Sequence, residues 1–503
     1  MRTQLALCVL AGAASAARQA SNFNVTAAQA RAASCGDECL EGIRLGTVAD
    51  VAATGTSFDW DFYATAANMT RSRAGDMLKL EAVQPGRRKG VKAGTSVWRF
   101  QYTTVDLDGT LVPATGFIAF PYGAPRRPGG YDVGAGGGAD IRGDDTAAAG
   151  GADGRNKFRL VAFAHGTLGM YPGCAPSTGP SLFDYDSWQP LVGRGYAVVA
   201  TDYAGLGNNA TQHKYCSFNA HATDVYYSVV AARRVFGHVL TREWMAAGHS
   251  QGGGAAWKLA ESEYVANDTA YLGTVALAPA THAVDMLQLV LDGGARHSAY
   301  LPYLPEAVRR ADPSYRETLL SDTVRRRLRL ADEAQLCNSA LLAMTQDLTG
   351  RPDRLVSLPG LARDLPALRR WQAAVAPAQG ARGRSPAPVL VLQGLNDTAV
   401  LPPTTMAAVE SSCREGGNEI HLSLYPGLEH SPLLQAGAPE WLGWIDARFD
   451  AAAANRASAP AGRGAKGGKC SWRTREAFHL ELVSLPGDES SPQKGGNATP
   501  PYM

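Results

Sequence analysis

The chain reads as an α/β protein with a mostly parallel central sheet covered by helices on both faces, and three observations carry that reading. Short, uniformly apolar runs alternate with helical stretches from Leu160 onward, the pattern of strands buried on two sides. One of those runs ends in a tight glycine-rich turn that leads directly into a helix. The interval from Thr281 to Arg384 separates two strands and carries helical patterns but no strand, which predicts an inserted helical cap.

The 503 residues allow two to four domains on a prior of about 150 each, although α/β enzymes with insertions reach this length as one. The 48 Lys and Arg against 46 Asp and Glu leave a net charge of +2 with no long basic run, which argues against a nucleic-acid partner. Gly 55 and Pro 29 stay below the combined share, about 25 to 30%, at which a whole chain reads as low-complexity.

Met1 to Gln4 carries one Arg, Leu5 to Ala14 is apolar, and Ala14-Ser15-Ala16 offers small residues for cleavage. Residues 1–16 therefore read as a signal peptide and the protein as secreted. The run is too short for a membrane anchor, which needs about 20 apolar residues. Removing Cys8 with the signal leaves Cys35, Cys39, Cys174, Cys216, Cys337, Cys413 and Cys470, an odd set suited to disulfides in an oxidising compartment with one thiol left free or paired between chains. Cys35 and Cys39 have no second Cys or His pair nearby, so no metal site is expected. Sequons at Asn24, Asn68, Asn209, Asn267, Asn396 and Asn497 suit a glycoprotein.

Residues 17–95 form an Ala-rich N-terminal extension with a helical patch around Phe62 to Met69, and the main domain runs over 96–450. Val97 to Val105 and Leu111 to Pro121 alternate like strands around the turn Asp106-Leu107-Asp108-Gly109, a hairpin at a sheet edge. Gly123 to Gly154 lacks an apolar period and reads as a flexible insertion. Leu160 to Ala164, Ala197 to Thr201, Trp244 to Ala247, Gly273 to Ala278, Pro388 to Leu392 and Ile420 to Tyr425 are strands. Ala222 to Val235, Gly253 to Tyr264 and Thr404 to Ser412 are helical stretches between them. The cap is assigned to 281–384, and 451–503 to a low-complexity tail in which only Phe478 to Leu485 resembles a strand.

Gly248-His249-Ser250-Gln251-Gly252 follows the strand Glu243 to Ala247 and precedes a helix, the context of a nucleophile elbow. The turn strains the nucleophile's backbone, so its neighbours must be nearly free of side chains, as Gly248, Gly252 and Gly253 are. A serine hydroxyl needs a base to take its proton and a carboxylate to hold that base, here in the chain order Ser, Asp or Glu, His. Asp397 sits just past the strand Pro388 to Leu392, and His430 follows the strand Ile420 to Tyr425, an interval that holds one helix and one strand and sets the two loops side by side. His421 is the rival base but lies inside a strand; His282, His297 and His479 fall in the cap and tail. An oxyanion needs two fixed donors: the amide of Gln251 supplies one and that of Thr167, in His165-Gly166-Thr167-Leu168-Gly169, the other. His165 either orients that loop by hydrogen bonding or is plainly structural.

The residues resemble secreted α/β-hydrolase lipases and esterases, in particular the secretory lipase family. The resemblance rests on His165-Gly166-Thr167 followed by Cys174-Ala175-Pro176-Ser177, on the run from Gly195 to Gly207, on Gly248 to Gly253, and on the Asp397 and His430 loops, and covers about Ser96 to Asp450. It implies an α/β-hydrolase fold, a Ser250–Asp397–His430 triad, ester hydrolysis without a cofactor, and a cap over an apolar acyl pocket. The insertion and the tail do not match. In that topology the strands ending near Ala164 and Thr201 are neighbours, which implies a Cys174–Cys216 bridge; Cys35–Cys39 and Cys337–Cys413 are the further candidates, and Asn396 is expected to be too enclosed for a glycan.

Met286, Leu287, Leu289 and Val290 either line the acyl site or serve as core packing. The expected partner is a small-molecule or lipid ester, met with or without transient contact at a lipid interface. The competing functions are acyl transfer or amide hydrolysis by the same triad, and a non-catalytic binding protein, whose usual mark, a lost triad member, is missing here.

Overall fold

A computed structural model describes residues 19–84, 90–123, 157–292, 300–348, 351–379, 383–414, 418–457 and 469–480. The proposed signal peptide, nearly all of the Gly123 to Gly154 insertion, His297 and Asn497 lie outside the described residues. Ten strands hydrogen-bond into one sheet: β1 (Met77–Ala82), β2 (Thr95–Val105), β3 (Leu111–Pro121), β4 (Phe158–Ala164), β5 (Ala197–Thr201), β6 (Leu240–His249), β7 (Tyr271–Leu277), β8 (Val389–Gly394), β9 (Ile420–Tyr425) and β10 (Ser471–Thr474). Their order is β1-β2-β3-β5-β4-β6-β7-β8-β9-β10. The pairs β1/β2, β2/β3 and β3/β5 are antiparallel. From β5 to β10 every pairing is parallel.

The central strands are buried on both faces, which is why they read as continuous apolar runs. On β4, Leu160, Ala162 and Ala164 pack into one core with the helices Phe218–Phe236 and Gln251–Ala260. Val161 and Phe163 point the other way, into a second core with Trp188, Leu191, Trp441 and Ile445 beneath the helix Ala438–Ala457. Trp188, Trp244, Trp257 and Trp441 are fully buried, and truncating a side chain of that kind costs about 3 to 5 kcal/mol.

Between β7 and β8 the chain builds the helices Ala283–Leu291, Tyr303–Ala311, Asp322–Ala334, Asn338–Ala343 and Leu358–Val375. The only bridge among them, Leu320 to Val356, is isolated. The N-terminal helix Asp37–Thr54 packs against Asn338–Ala343 so closely that a Cβ on Gly46 would lie 2.5 Å from the Ala340 nitrogen. Asp50 accepts from the amides of Ser339 (2.8 Å) and Ala340 (3.0 Å), so it caps that helix from a distant part of the chain.

Several expectations are corrected. Cys174 pairs with Cys337, not with Cys216. The physical reason is that Cys337, at the start of Asn338–Ala343, is seated on the Leu168 loop, where the Asn338 amide donates to the Leu168 carbonyl at 2.9 Å. Cys216 is buried with a free thiol that burial pushes up to about 12. Cys413 joins Cys470 rather than Cys337, while Cys35–Cys39 forms. The Cys174–Cys337 bridge closes a separation of 163 residues, for which loop entropy gives stabilisation of about 5 kcal/mol.

The sheet edge is β1, inside the stretch read as extension, and the β2/β3 hairpin lies one place further in. The helix Ala438–Ala457 runs past Asp450. The tail's strand is β10, tied to Arg414's helix by Cys413–Cys470, whereas Phe478 to Leu480 form no strand and Phe478 is fully exposed. Asn396 is exposed rather than enclosed.

Burial raises Asp50 from 3.8 to about 7. A carboxyl whose folded pKa lies above its unfolded one gives stability that is complete below the unfolded value and lost as pH rises through the folded one. Urea unfolding from pH 4 to 8 should therefore favour Asp50→Asn over wild type progressively as pH rises, by up to about 1.4 kcal/mol per pH unit. A pH-independent difference between the two proteins contradicts this assignment.

Candidate active site

β6 ends at His249, and the helix Gln251–Ala260 begins two residues later. Ser250 alone makes the turn, at φ +58 and ψ −122. The Ser250 amide donates to Leu277 (2.9 Å), and its carbonyl accepts from Gly254 (3.1 Å) and Ala280 (2.9 Å). A Cβ on Gly248 would sit 2.1 Å from the Gly252 carbonyl oxygen, and one on Gly252 would sit 1.9 Å from that of Ala164. Both positions exclude every side chain.

Asp397 follows β8 and His430 follows β9, both buried. His430 Nδ1 lies 2.7 Å from Asp397 Oδ2. Asp397 Oδ1 accepts from the amides of Ala399 (2.9 Å) and Val400 (2.8 Å), and its Oδ2 also accepts from Gln393 Nε2 (3.1 Å). These donors favour the ionised carboxylate. Glu429, beside His430, is pushed up by burial and by the Asp397 charge.

A hydrogen-bond chain joins the loops. The Gly166 amide donates to Tyr185 Oη (3.2 Å), which reaches His249 Nδ1 (3.0 Å), and His249 Nε2 meets the His430 carbonyl (3.2 Å). The carbonyl can only accept, so His249 carries its proton on Nε2 and accepts at Nδ1 from the tyrosine. Burial holds His249 well below the usual histidine range, which keeps it neutral. His165 contacts the carbonyls of Gly166 (2.6 Å) and Asp202 (3.2 Å), and burial lowers it to about 4.

Ser250 and Thr167 border one cavity of about 700 Å³, counted with its mouth, whose walls include Phe218, Met286, Leu287, Leu304 and Trp371. Cys216 borders it too. Leu289 faces a separate shallow pocket beside Asp397, and Val290 is half-buried. His421 is on β9, bonded to Ser471 Oγ (2.7 Å) and Glu419 (3.1 Å). His282 is engaged by the Pro377 carbonyl (3.1 Å) and by Gln379 (2.8 Å). Among the described residues no group of three His, Cys, Asp or Glu side chains is placed to hold a metal ion.

Three sets of residues escape a reading of the sequence. Gln393, which braces Asp397, is polar at the end of an apolar strand, a signal that was open to view. Tyr185 has no motif. His213 and His221 precede Ser250 in the chain, outside the stretch where a base is sought, yet both meet the Gln251 side chain.

A mixed sheet with helices on both faces and a strand-to-helix elbow at its parallel heart defines an α/β-hydrolase. Two solved structures share the fold. The rice cell wall degrading esterase LipA from Xanthomonas oryzae is 19% identical, with a TM-score of 0.51 over 70% of this chain and 91% of that one. Candida antarctica lipase A in its closed state is 16% identical, with a TM-score of 0.55 over 81% of this chain and 88% of that one. No curated protein matches the chain. The secretory lipase family model matches residues 182–456, and the chain belongs to that family. It is a carboxylic ester hydrolase. The family and the three disulfides are consistent with secretion, and no described helix is long and apolar enough to cross a membrane.

The Gly252 clash is with backbone, which cannot rotate away. Gly252→Ala should lower stability by about 1 to 3 kcal/mol and reduce esterase activity with it, read as a shifted urea midpoint and initial rates. A midpoint equal to wild type would show that β4 and the elbow helix are not in contact as described.

Proposed function

We propose that the chain cleaves esters through an acyl-enzyme formed on Ser250, with His430 as base and Asp397 as its orienting carboxylate. The observation that carries this reading is the 2.7 Å contact between His430 Nδ1 and Asp397 Oδ2, with Asp397 held by amides on its other oxygen. That contact keeps the His430 proton on Nδ1 and leaves Nε2 free to accept.

Ser250 Oγ attacks the ester carbonyl as His430 Nε2 takes its proton, and the carbonyl electrons move onto oxygen. The amides of Gln251 and Thr167 hold that oxyanion; Gln251 is the first residue of a helix, where the N–H groups are unspent and the dipole favours negative charge. Collapse of the intermediate expels the alcohol, which takes the proton from imidazolium. Water, deprotonated by the same ring, then attacks the acyl-enzyme and releases the acid. The apolar walls of Phe218, Leu287 and Trp371 suit the acyl chain. Export follows cleavage of the leader near Ala16, which N-terminal sequencing of the secreted protein would read directly.

Rates on p-nitrophenyl esters of increasing chain length, measured for wild type and variants, test the assignment. Ser250→Ala should lose at least about a thousandfold in kcat, and Asp397→Asn on the order of ten-thousandfold through the wrong imidazole tautomer. Full activity in Ser250→Ala, or its absence from wild type across the series, overturns the reading.

A further inference from the structure

Behind the elbow, away from the cavity, the Gln251 carboxamide is gripped between two imidazoles. Its Nε2 lies 3.1 Å from His213 Nε2 and 3.0 Å from His221 Nε2. An amide nitrogen brings two hydrogens and no acceptor, so both rings accept at Nε2 and carry their proton on Nδ1. A separate contact agrees: His213 Nδ1 faces the Ala204 carbonyl at 3.3 Å, which demands a donor there. Turning the amide over would put donors at both Nε2 atoms and leave the His213 Nδ1 lone pair against that carbonyl.

The grip is rigid. His213 and His221 stack at 5.0 Å and 13°, Tyr203 lies 4.4 Å from His221 on one side and 4.4 Å from His165 on the other, and Tyr203 Oη donates to the His165 carbonyl at 3.0 Å. All of these rings are buried. The other ionisable groups facing the pair are Arg310, which donates to the His213 carbonyl at 3.3 Å, and Tyr215. Burial lowers His221 to about 3 and His213 well below the usual range, so both stay neutral acceptors. His221 Nδ1 has no partner among the described atoms. An unpaired buried N–H costs about 1 to 3 kcal/mol, so packing alone does not account for an imidazole at this place.

We propose that His213 and His221 are positioning residues for ester cleavage: by gripping the Gln251 carboxamide from two sides they hold the first residue of the elbow helix, and with it the amide that receives the oxyanion. The proposal rests on the Ser250 reading above. Neither histidine borders the cavity, so substrate binding should be indifferent to them while the tetrahedral state is not.

The test compares wild type, His221→Leu, Gln251→Met and the double variant on p-nitrophenyl butyrate, with n-butylboronic acid as a tetrahedral-adduct probe. Each single variant should lose about tenfold to a hundredfold in kcat, the scale of a misplaced oxyanion donor. KM should stay within about twofold, because the effect belongs to the transition state. The boronate should weaken by the same factor as kcat. The double variant should match the singles rather than multiply them, since one contact is lost once, and His221→Asn, which keeps an acceptor oxygen, should recover most of the loss. Gln251→Met, nearly the same size and shape, decides the question alone if His221→Leu does not fold. An unchanged kcat, a rise in KM with kcat preserved, unaltered boronate affinity, or multiplicative losses overturn the proposal. Ser250→Ala in the same series separates the two failures: activity surviving there removes the nucleophile assignment, whereas a dead Ser250→Ala beside a fully active Gln251→Met removes only the histidine grip.

Discussion

The constraint on which the molecule is built is a one-residue reversal at Ser250, between the last residue of β6 and the first of the helix that follows. A left-handed φ of +58 at a serine costs on the order of 1 to 3 kcal/mol. It is held because the Ser250 backbone is bonded on both sides, to Leu277 and to Gly254 and Ala280. Three backbones must then pass within a side chain's width of one another, which leaves Gly248 and Gly252 no alternative residue. The reward of the strain is an exposed reach for Oγ together with an unspent helix N-terminus beside it.

Around that turn the site is assembled from loops at one edge of the sheet, and neutral polar groups do the assembling. Buried His249 ties the Gly166 loop, through Tyr185, to the backbone of His430. Gln393 and two amides fix Asp397. Where burial depresses a histidine, as at His249, His165 and His221, the ring is reduced to a donor and an acceptor of fixed direction, which is what a scaffold needs. His430, by contrast, has a carboxylate partner to stabilise its charged form.

The cavity is closed by parts remote in sequence. The insertion between β7 and β8 gives it Met286, Leu287 and Leu304. Cys174–Cys337 staples that insertion to the loop that carries Thr167, and the N-terminal helix braces it through Asp50. The free thiol of Cys216 is thereby left facing the cavity, with burial keeping it protonated.

Local pattern determined what local physics controls. Uniformly apolar strands follow from two-sided burial, and the elbow follows from backbone sterics that only glycine meets. The Asp397 and His430 positions follow from their places just past strands whose loops share one edge. All of this was legible because the cause lies within a few residues of the effect. The tertiary structure decided whatever depends on partners far along the chain. Cys174 chose Cys337 over Cys216 because a helix of the insertion seats Cys337 on the Leu168 loop. Met77–Ala82 and Ser471–Thr474 became strands because a sheet edge and a disulfide recruited short, half-polar segments without a strong period of their own. His213 and His221 acquired a partner only when the helix Phe218–Phe236 and the loop before it packed behind Gln251. Hydrogen bonds and disulfides act between side chains whose distance is set by the whole fold, and no pattern of neighbours in the chain encodes that distance.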